Sequence, residues 1–305
     1  RISLSIFNLN NCKTNFKTEI IAGITTYISM VYIMFVNPNV LGASGMDKGA
    51  IFTATALASA IGCFLMGILA NYPIASAPAL GINAFFAYSV VIGMKVPWQT
   101  ALAGVFVASL IFLLITIFKL RELIINAIPA DLKHAISAGS GCSLPSRFEP
   151  RWSGVANPDT MVGLGSFTTP TTWITVFGLV ITIILMVRRV PGAIFFGMVL
   201  TTLFGMVTGV IHAPTHLLAA APSLKPTFLT AVSHVGDINT LQLWVVVLTF
   251  LLVTFFDTAG TLVGLATQAG FMKDNKMPRI GQALVADSVS MLAGSVMGTT
   301  PTAAT

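Results

Sequence analysis

Charge is what this chain has least of. Of its 305 residues only 9% are Asp, Glu, Lys or Arg, whereas 55% are hydrophobic. A soluble domain carries about 25% charged residues, so this composition excludes one and leaves a polytopic membrane protein. Histidine and cysteine are also scarce, at four and three residues. Cys12, Cys63 and Cys142 share no metal-ligand spacing, so neither a zinc site nor a disulfide framework is indicated. His134, His212, His216 and His234 lie at span ends or in loops. With no nucleophile–base pair and no ligand cluster in the apolar runs, an intramembrane enzyme is excluded; neither catalytic residues nor a metal nor a cofactor is expected. The net charge of +6 comes from basic residues scattered among short loops, a pattern that reports topology and not nucleic-acid binding. Nor is a cleavable signal peptide expected, because the polar start from Arg1 to Glu19 passes straight into an apolar run of full membrane length.

Apolar runs do the organising. Those of spanning length are Ile20–Leu41, Ile51–Ala70, Ala77–Gly93, Trp98–Phe118, Thr172–Val187, Gly192–His212, Leu241–Ala266 and Gly281–Gly298. Ile124–Gly139 is a weaker candidate, interrupted by Pro129, Asp131, Lys133 and His134. The stretch between His212 and Leu241 holds Pro214, Pro222 and Pro226 and is expected at the surface.

Arg1, Lys13 and Lys17 before the first run argue for a cytoplasmic N-terminus, and Lys119 and Arg121 then fall inside as well. Arg188–Arg189 and Lys273, Lys276 and Arg279 fall inside only if the chain crosses once between Lys133 and Thr172. The residues there refuse a crossing. Ser140–Gly154 carries Arg147, Glu149, Arg151, Pro145 and Pro150. A polar surface or re-entrant loop is one reading of it. A local reading-frame error is the other, since common codons for Ser140–Ser146 read one base earlier allow an apolar Ile-Gly-Leu-Phe-Thr-Ala-Phe.

In the run Leu241–Ala266 a carboxylate, Asp257, sits near the middle of a stretch long enough to cross a ~30 Å hydrocarbon core. An ionisable group there costs about 2.5–3.5 kcal/mol, which makes Asp257 a candidate functional residue. Thr258, Gly260, Thr261 and Gly264 around it are small or hydroxylated and allow close helix approach. The alternative is a carboxylate bonded to neighbouring helices as polar glue. Asp287, in the next run, has ion coupling and a structural role as equal readings.

Ser76–Tyr88 is the second unusual stretch. Pro78 and Gly81 disfavour a regular helix and Asn83 places an amide at membrane depth. Irregular backbone is tolerated there only where it faces protein or a watery cavity. Such a break frees backbone groups for a polar ligand, and Phe85 or Phe86 offers a face for a flat ring. The alternative is an ordinary helix starting after Pro78, with Asn83 bonded to a neighbour. Gly298–Thr302 is a break of similar character. A weak internal repeat relates Ala56–Gly67 to Ala283–Gly294, each run leading into a Pro-containing break, which in transporters points to the binding site. Thr25, Thr26 and Tyr27 make the first run polar in its middle, and helix-end chemistry accounts for Asn37 and Pro38.

Taken in order, Phe16–Thr26 with Asn37-Pro38, Ala79–Phe86, Phe256–Thr261 and Gly298–Thr302 resemble the nucleobase:cation symporter-2 superfamily, and within it the AzgA-like adenine/guanine/hypoxanthine permeases. The resemblance covers nearly the whole chain except Ser140–Gly154, where the family carries an apolar span. It implies an all-α polytopic fold of fourteen spans in two inverted seven-span repeats, forming core and gate domains, with spans three and ten broken. On that scheme 1–212 is the first repeat with span five disrupted near 140–154, 213–240 is a surface loop, and 241–305 begins the second repeat. The chain ends at Thr305, ahead of the family's substrate-binding glutamate, so an incomplete copy is expected.

The function implied is import of a purine base across the cytoplasmic membrane by proton symport. The substrate site implied comprises Asp257 and Asn83, with Gly81, Ala84, Phe85 and Phe86 of the span-three break. Thr26 of the first span and Thr300 of the last break complete it. Proton coupling falls to Asp257 and Asp287. The expected partners are the purine base, a coupling proton and the bilayer, with a homodimer as the candidate assembly and no nucleic acid. An anion carrier of the same architecture is the rival within transport, but it would favour a basic side chain at depth. A non-transporting fragment is the other alternative.

Overall fold

The computed structural model describes residues 15–120, 123, 170–190, 192–210, 221–270 and 277–304. Ser140–Gly154, Ile124–Gly139 and the Lys273–Lys276 pair lie outside the described residues. The regular structure of the described chain is helical apart from a short two-stranded ladder. Among the described residues five helices are long and apolar enough to cross a membrane: Phe16–Gly42, Lys48–Ala70, Trp98–Ile117, Leu243–Thr267 and Ile280–Met297. Leu80–Gly93, Thr172–Val187 and Ala193–Val207 are shorter apolar helices. Each of the eight apolar runs of spanning length therefore carries a helix among the described residues, and the protein is a multi-pass membrane protein.

Two compact units divide the chain, one holding Leu9–Tyr32 and Ser143–Ala220 and the other holding the rest. In the smaller unit lie α1 (Phe16–Met30) and, further along the chain, α6 (Pro170–Val187) and α7 (Ala193–Val207). Asn15 caps α1, its Oδ1 accepting from the Thr18 N–H at 2.9 Å, which satisfies one of the donors left open at a helix start. α6 and α7 pack against each other with Phe177 and Phe204 stacked at 4.2 Å.

The larger unit opens with α2 (Ile33–Gly42) and α3 (Lys48–Leu65). Asp47 starts α3 by accepting from the Ala50 N–H at 2.7 Å. A π-helical turn, Met66–Ala70, ends it, and Asn71 at φ 51° turns the chain out of the helix. There follow β1 (Ser76–Pro78), α4 (Leu80–Ala84) continued by a π-helical stretch to Gly93, and α5 (Trp98–Ile117). The described chain resumes with α8 (Thr230–Ser233), α9 (Leu241–Gln268), α10 (Ile280–Met297) and β2 (Thr302–Ala304). α10 packs against α3 and α5, and α9 packs against α5. Phe86, Phe112, Phe250, Leu102 and Leu284 fill the space between them.

Residues 221–240, expected as a surface loop, expose Ala221–Ser223 but bury Thr227 and Ala231. Thr227 Oγ1 donates to the Met297 carbonyl at 3.0 Å, and the Leu229 N–H donates to Val296 at 2.9 Å. The stretch therefore packs on the end of α10.

Prolines and one glycine make the two strands. Pro78 and Pro301 bias Ala77 and Thr300 towards extended backbone. Gly298, at φ +95°, closes α10 in a left-handed conformation, and a Cβ there would lie 2.2 Å from Thr227 Cβ. β1 and β2 then pair antiparallel, Ser76 opposite Ala304, Ala77 opposite Ala303 and Pro78 opposite Thr302. The Ala79 N–H continues the ladder to the Pro301 carbonyl at 3.2 Å.

Candidate functional site

Two interrupted spans meet at this ladder. A two-stranded ladder of three residues a side is not stable alone, and in lipid its edges would be costly. Helices enclose it. Gly62 of α3 lets that helix come close, since a Cβ there would lie 2.4 Å from Ser290 Oγ and 2.7 Å from Ser76 Cβ. Ser290 on α10 bonds Thr302 of β2 hydroxyl to hydroxyl at 2.7 Å and approaches Ser76 of β1 at 3.4 Å. The Ser76 N–H also meets Cys63 Sγ of α3 at 3.3 Å.

Beside the strands lies a second polar cluster, built on two asparagines. Asn83, one turn into α4, donates from Nδ2 to Asn37 Oδ1 at 2.5 Å and accepts at Oδ1 from the Thr300 hydroxyl. Asn37 of α2 in turn donates to Thr55 Oγ1 of α3 at 2.7 Å and to Thr299 Oγ1 at 3.1 Å. All five residues are fully buried. In lipid such interhelical bonds contribute roughly 0.6–2 kcal/mol each. Asn37 thus departs from the helix-end reading: it sits within α2 and joins four chain segments. Its partner Thr299 is 262 positions away in sequence, which is why local patterning passes over it.

The aromatic pair after Asn83 divides. Phe86 is fully buried and packs on Phe250 of α9 at 6.2 Å. Phe85 is half-buried, edge-on to the same ring at 5.3 Å. Gly81 is half-buried with open space where a side chain would be, and Ala84 is buried. These positions share α4 with Asn83 and lie beside the Thr300 break.

α9 packs against both α4 and β2, which brings the helix of Asp257 to the two breaks. Along α9 a fully buried face carries Phe250, Thr254, Thr258 and Leu262, and a lipid-like face exposes Leu241, Val245, Leu248, Leu252 and Phe256. Asp257, Thr261 and Gly264 recur at helical spacing between them and are half-buried. The Asp257 backbone carbonyl accepts from the Thr261 hydroxyl at 2.8 Å. Next to Asp257, Thr258 Oγ1 is buried with no hydrogen-bond partner among the described residues. A buried hydroxyl in that state is uncommon in folded proteins.

Residues 17–305 match the sequence profile of Xan_ur_permease, a permease family. This chain belongs to that family. The permease is 50% identical over 98% of its length to the guanine/hypoxanthine permease PbuG of Bacillus subtilis, of which it covers 70%. It is 41% identical over 96% of its length to the adenine permease AdeP of Escherichia coli, of which it covers 66%. The chain therefore spans about two thirds of the length of these relatives. Among solved structures, the transmembrane domain of a cyanobacterial bicarbonate transporter, BicA, superposes with a TM-score of 0.57 at 15% identity, over 94% of this chain and 73% of that one. That likeness concerns the fold. Permeases are transporters and not enzymes, in agreement with the absence of a nucleophile–base pattern in the sequence.

Two further residues of the expected site lie on other helices. Thr26 belongs to α1 in the smaller unit, and its hydroxyl donates to the Ala22 carbonyl one turn back at 3.0 Å. Asp287 is fully buried on α10, in a row of polar residues with Ser288 and Ser290. Ser288 Oγ meets Thr116 Oγ1 of α5 at 3.0 Å. The hydroxyl set around the ladder (Ser76, Ser290 and Thr302) carries little signal in the sequence, because serine and threonine occur in any membrane helix by bonding back to their own backbone.

Proposed function

We propose that this permease imports purine nucleobases across the cytoplasmic membrane by proton symport, with Asp257 at the site. The 50% identity with a guanine/hypoxanthine permease over 98% of the chain carries the substrate class. The geometry supports it. A neutral base has polar edges and a flat apolar face. The half-buried Asp257 stripe and the unpaired Thr258 hydroxyl lie on α9, which packs against α4, and the half-buried Phe85 ring follows α4 directly and meets Phe250 of α9. A carboxyl group can accept from a base N–H and can also take up and release a proton, so Asp257 suits both binding a base edge and carrying the coupled proton. Asn83, closed off by Asn37 and Thr300 in this state, keeps a second N–H on Nδ2 for a base that reaches the break. Asp287, buried on the neighbouring helix, is the second proton-linked candidate. The basic residues at Lys17 and Lys119 support an N-terminus on the inside.

Uptake of radiolabelled hypoxanthine, guanine and adenine tests this reading in cells lacking their own purine carriers, with PbuG as the reference. Uptake that rises with an inward proton gradient and collapses with a protonophore is expected. Uptake no greater than in cells without the protein would overturn the reading.

A further inference from the structure

The polar cluster beside the ladder has a centre that is not the residue facing the break. Asn37 makes three of its four hydrogen bonds, and each runs outward from α2 to a different segment: Thr55 on α3, Asn83 on α4 and Thr299 ahead of β2. Both hydrogens of its Nδ2 are spent on threonine hydroxyls, which leaves Oδ1 as the acceptor for Asn83. In this arrangement the Asn83 nitrogen points to Asn37 and its oxygen to Thr300, so the orientation of one amide is coupled to that of the other. The ladder itself offers little resistance to sliding: three residue pairs, two of them containing no side chain larger than alanine or serine.

We propose that Asn37 is a positioning residue, a clamp that holds the two chain breaks in register and sets the orientation of the Asn83 amide for the ligand. The part of this that concerns a ligand rests on the purine reading; the clamp itself does not. Asn37 touches no ligand in this scheme. It acts through Asn83 and Thr299. Pro38, next to it, serves the same end: a proline within a helix removes one backbone bond and loosens the turn before it, so the side-chain bonds of Asn37 take over the fixing of α2 at that level.

Two measurements on the purified full chain in lipid nanodiscs test this. In hydrogen exchange read by mass spectrometry, Asn37→Ala is expected to speed exchange about ten- to hundredfold in 76–84 and 299–304, matching the loss of one to two buried bonds, while other segments stay within threefold. Asn39→Ala, on the same helix but exposed and bonded only to its own backbone, is the control and is expected to leave both segments unchanged. Unchanged exchange in Asn37→Ala, or a uniform rise across the chain, would overturn the clamp. Binding of radiolabelled hypoxanthine to the same samples then forms a double-mutant cycle. If Asn37 acts through Asn83, the Asn37→Ala/Asn83→Ala pair binds no more weakly than Asn83→Ala alone. Additive losses would overturn the orienting role. Local exchange in Asn37→Ala with no hypoxanthine bound by the wild type would leave the clamp standing and overturn the purine reading instead.

Discussion

Asp257 and Asn83 were visible from the sequence for the same reason: each is a polar side chain at a depth where polarity is costly. Their surroundings were not. Asp257 lies on a half-buried stripe, beside a buried threonine hydroxyl without a partner, whereas Asn83 is sealed between Asn37 and Thr300. The two should therefore fail differently. Asp257→Asn keeps the shape and removes the titrating group, so proton-driven uptake should nearly vanish while expression and membrane insertion stay at wild-type levels. Wild-type uptake and pH dependence in that variant would refute the coupling role. Asn83→Ala leaves the Thr300 hydroxyl and the Asn37 carbonyl oxygen buried without their partner. Affinity for the base should fall by roughly 1–3 kcal/mol, read as a five- to 150-fold rise in Kd, with a drop in thermal stability alongside it. A loss of stability with affinity intact would make Asn83 interhelical glue alone. Asn37 escaped the sequence because Asn-Pro near the end of an apolar run reads as a helix terminus, and its partners are distant in sequence.

At the scale of elements, the breaks were legible and their pairing was not. Pro78, Gly81, Gly298 and Pro301 interrupt two spans by local rules, but only long-range packing shows that the interrupted pieces form one ladder. Gly298 is the sharpest test of that arrangement. Its φ of +95° and the 2.2 Å approach of Thr227 both exclude a side chain. Gly298→Ala should destabilise the protein by about 1–3 kcal/mol, seen as a lower Tm in detergent, and a Tm at the wild-type value would show that the end of α10 can shift freely.

A second device ties the approach to β1 to the start of α10. Tyr72, buried ahead of β1, donates its hydroxyl to the Pro278 carbonyl, and the Arg279 guanidinium lies 5.1 Å from its ring centre. Burial pushes the Tyr72 phenol above its ordinary value near 10, and the charge and hydrogen bond of Arg279 oppose that rise. A folded pKa above the unfolded one means stability that is fully present below about pH 10 and is lost as the pH climbs through the folded value. Thermal melts between about pH 8 and pH 11 should show this loss in the wild type. Tyr72→Phe should start lower, for want of the hydrogen bond, and lack that part of the alkaline fall. Parallel curves for the two proteins would show that the phenol contributes nothing to it.

At the scale of the molecule, hydropathy alone placed the membrane helices among the described residues, since an apolar run of about 20 residues has few other stable fates. The run Ala77–Gly93 shows the limit of that signal: it is a strand followed by a shorter helix, which hydropathy cannot distinguish from one continuous span. What hydropathy does not carry is specificity. That resides in a few side chains brought together by packing, and the account stands on one of them. The most direct test is equilibrium binding of radiolabelled hypoxanthine to membranes containing this chain, wild type beside Asp257→Asn. Saturable binding, competed by guanine or adenine but not by bicarbonate, and lost in Asp257→Asn, is the predicted result. Binding absent from the wild type, or equal in the two proteins, would contradict a purine site built on Asp257.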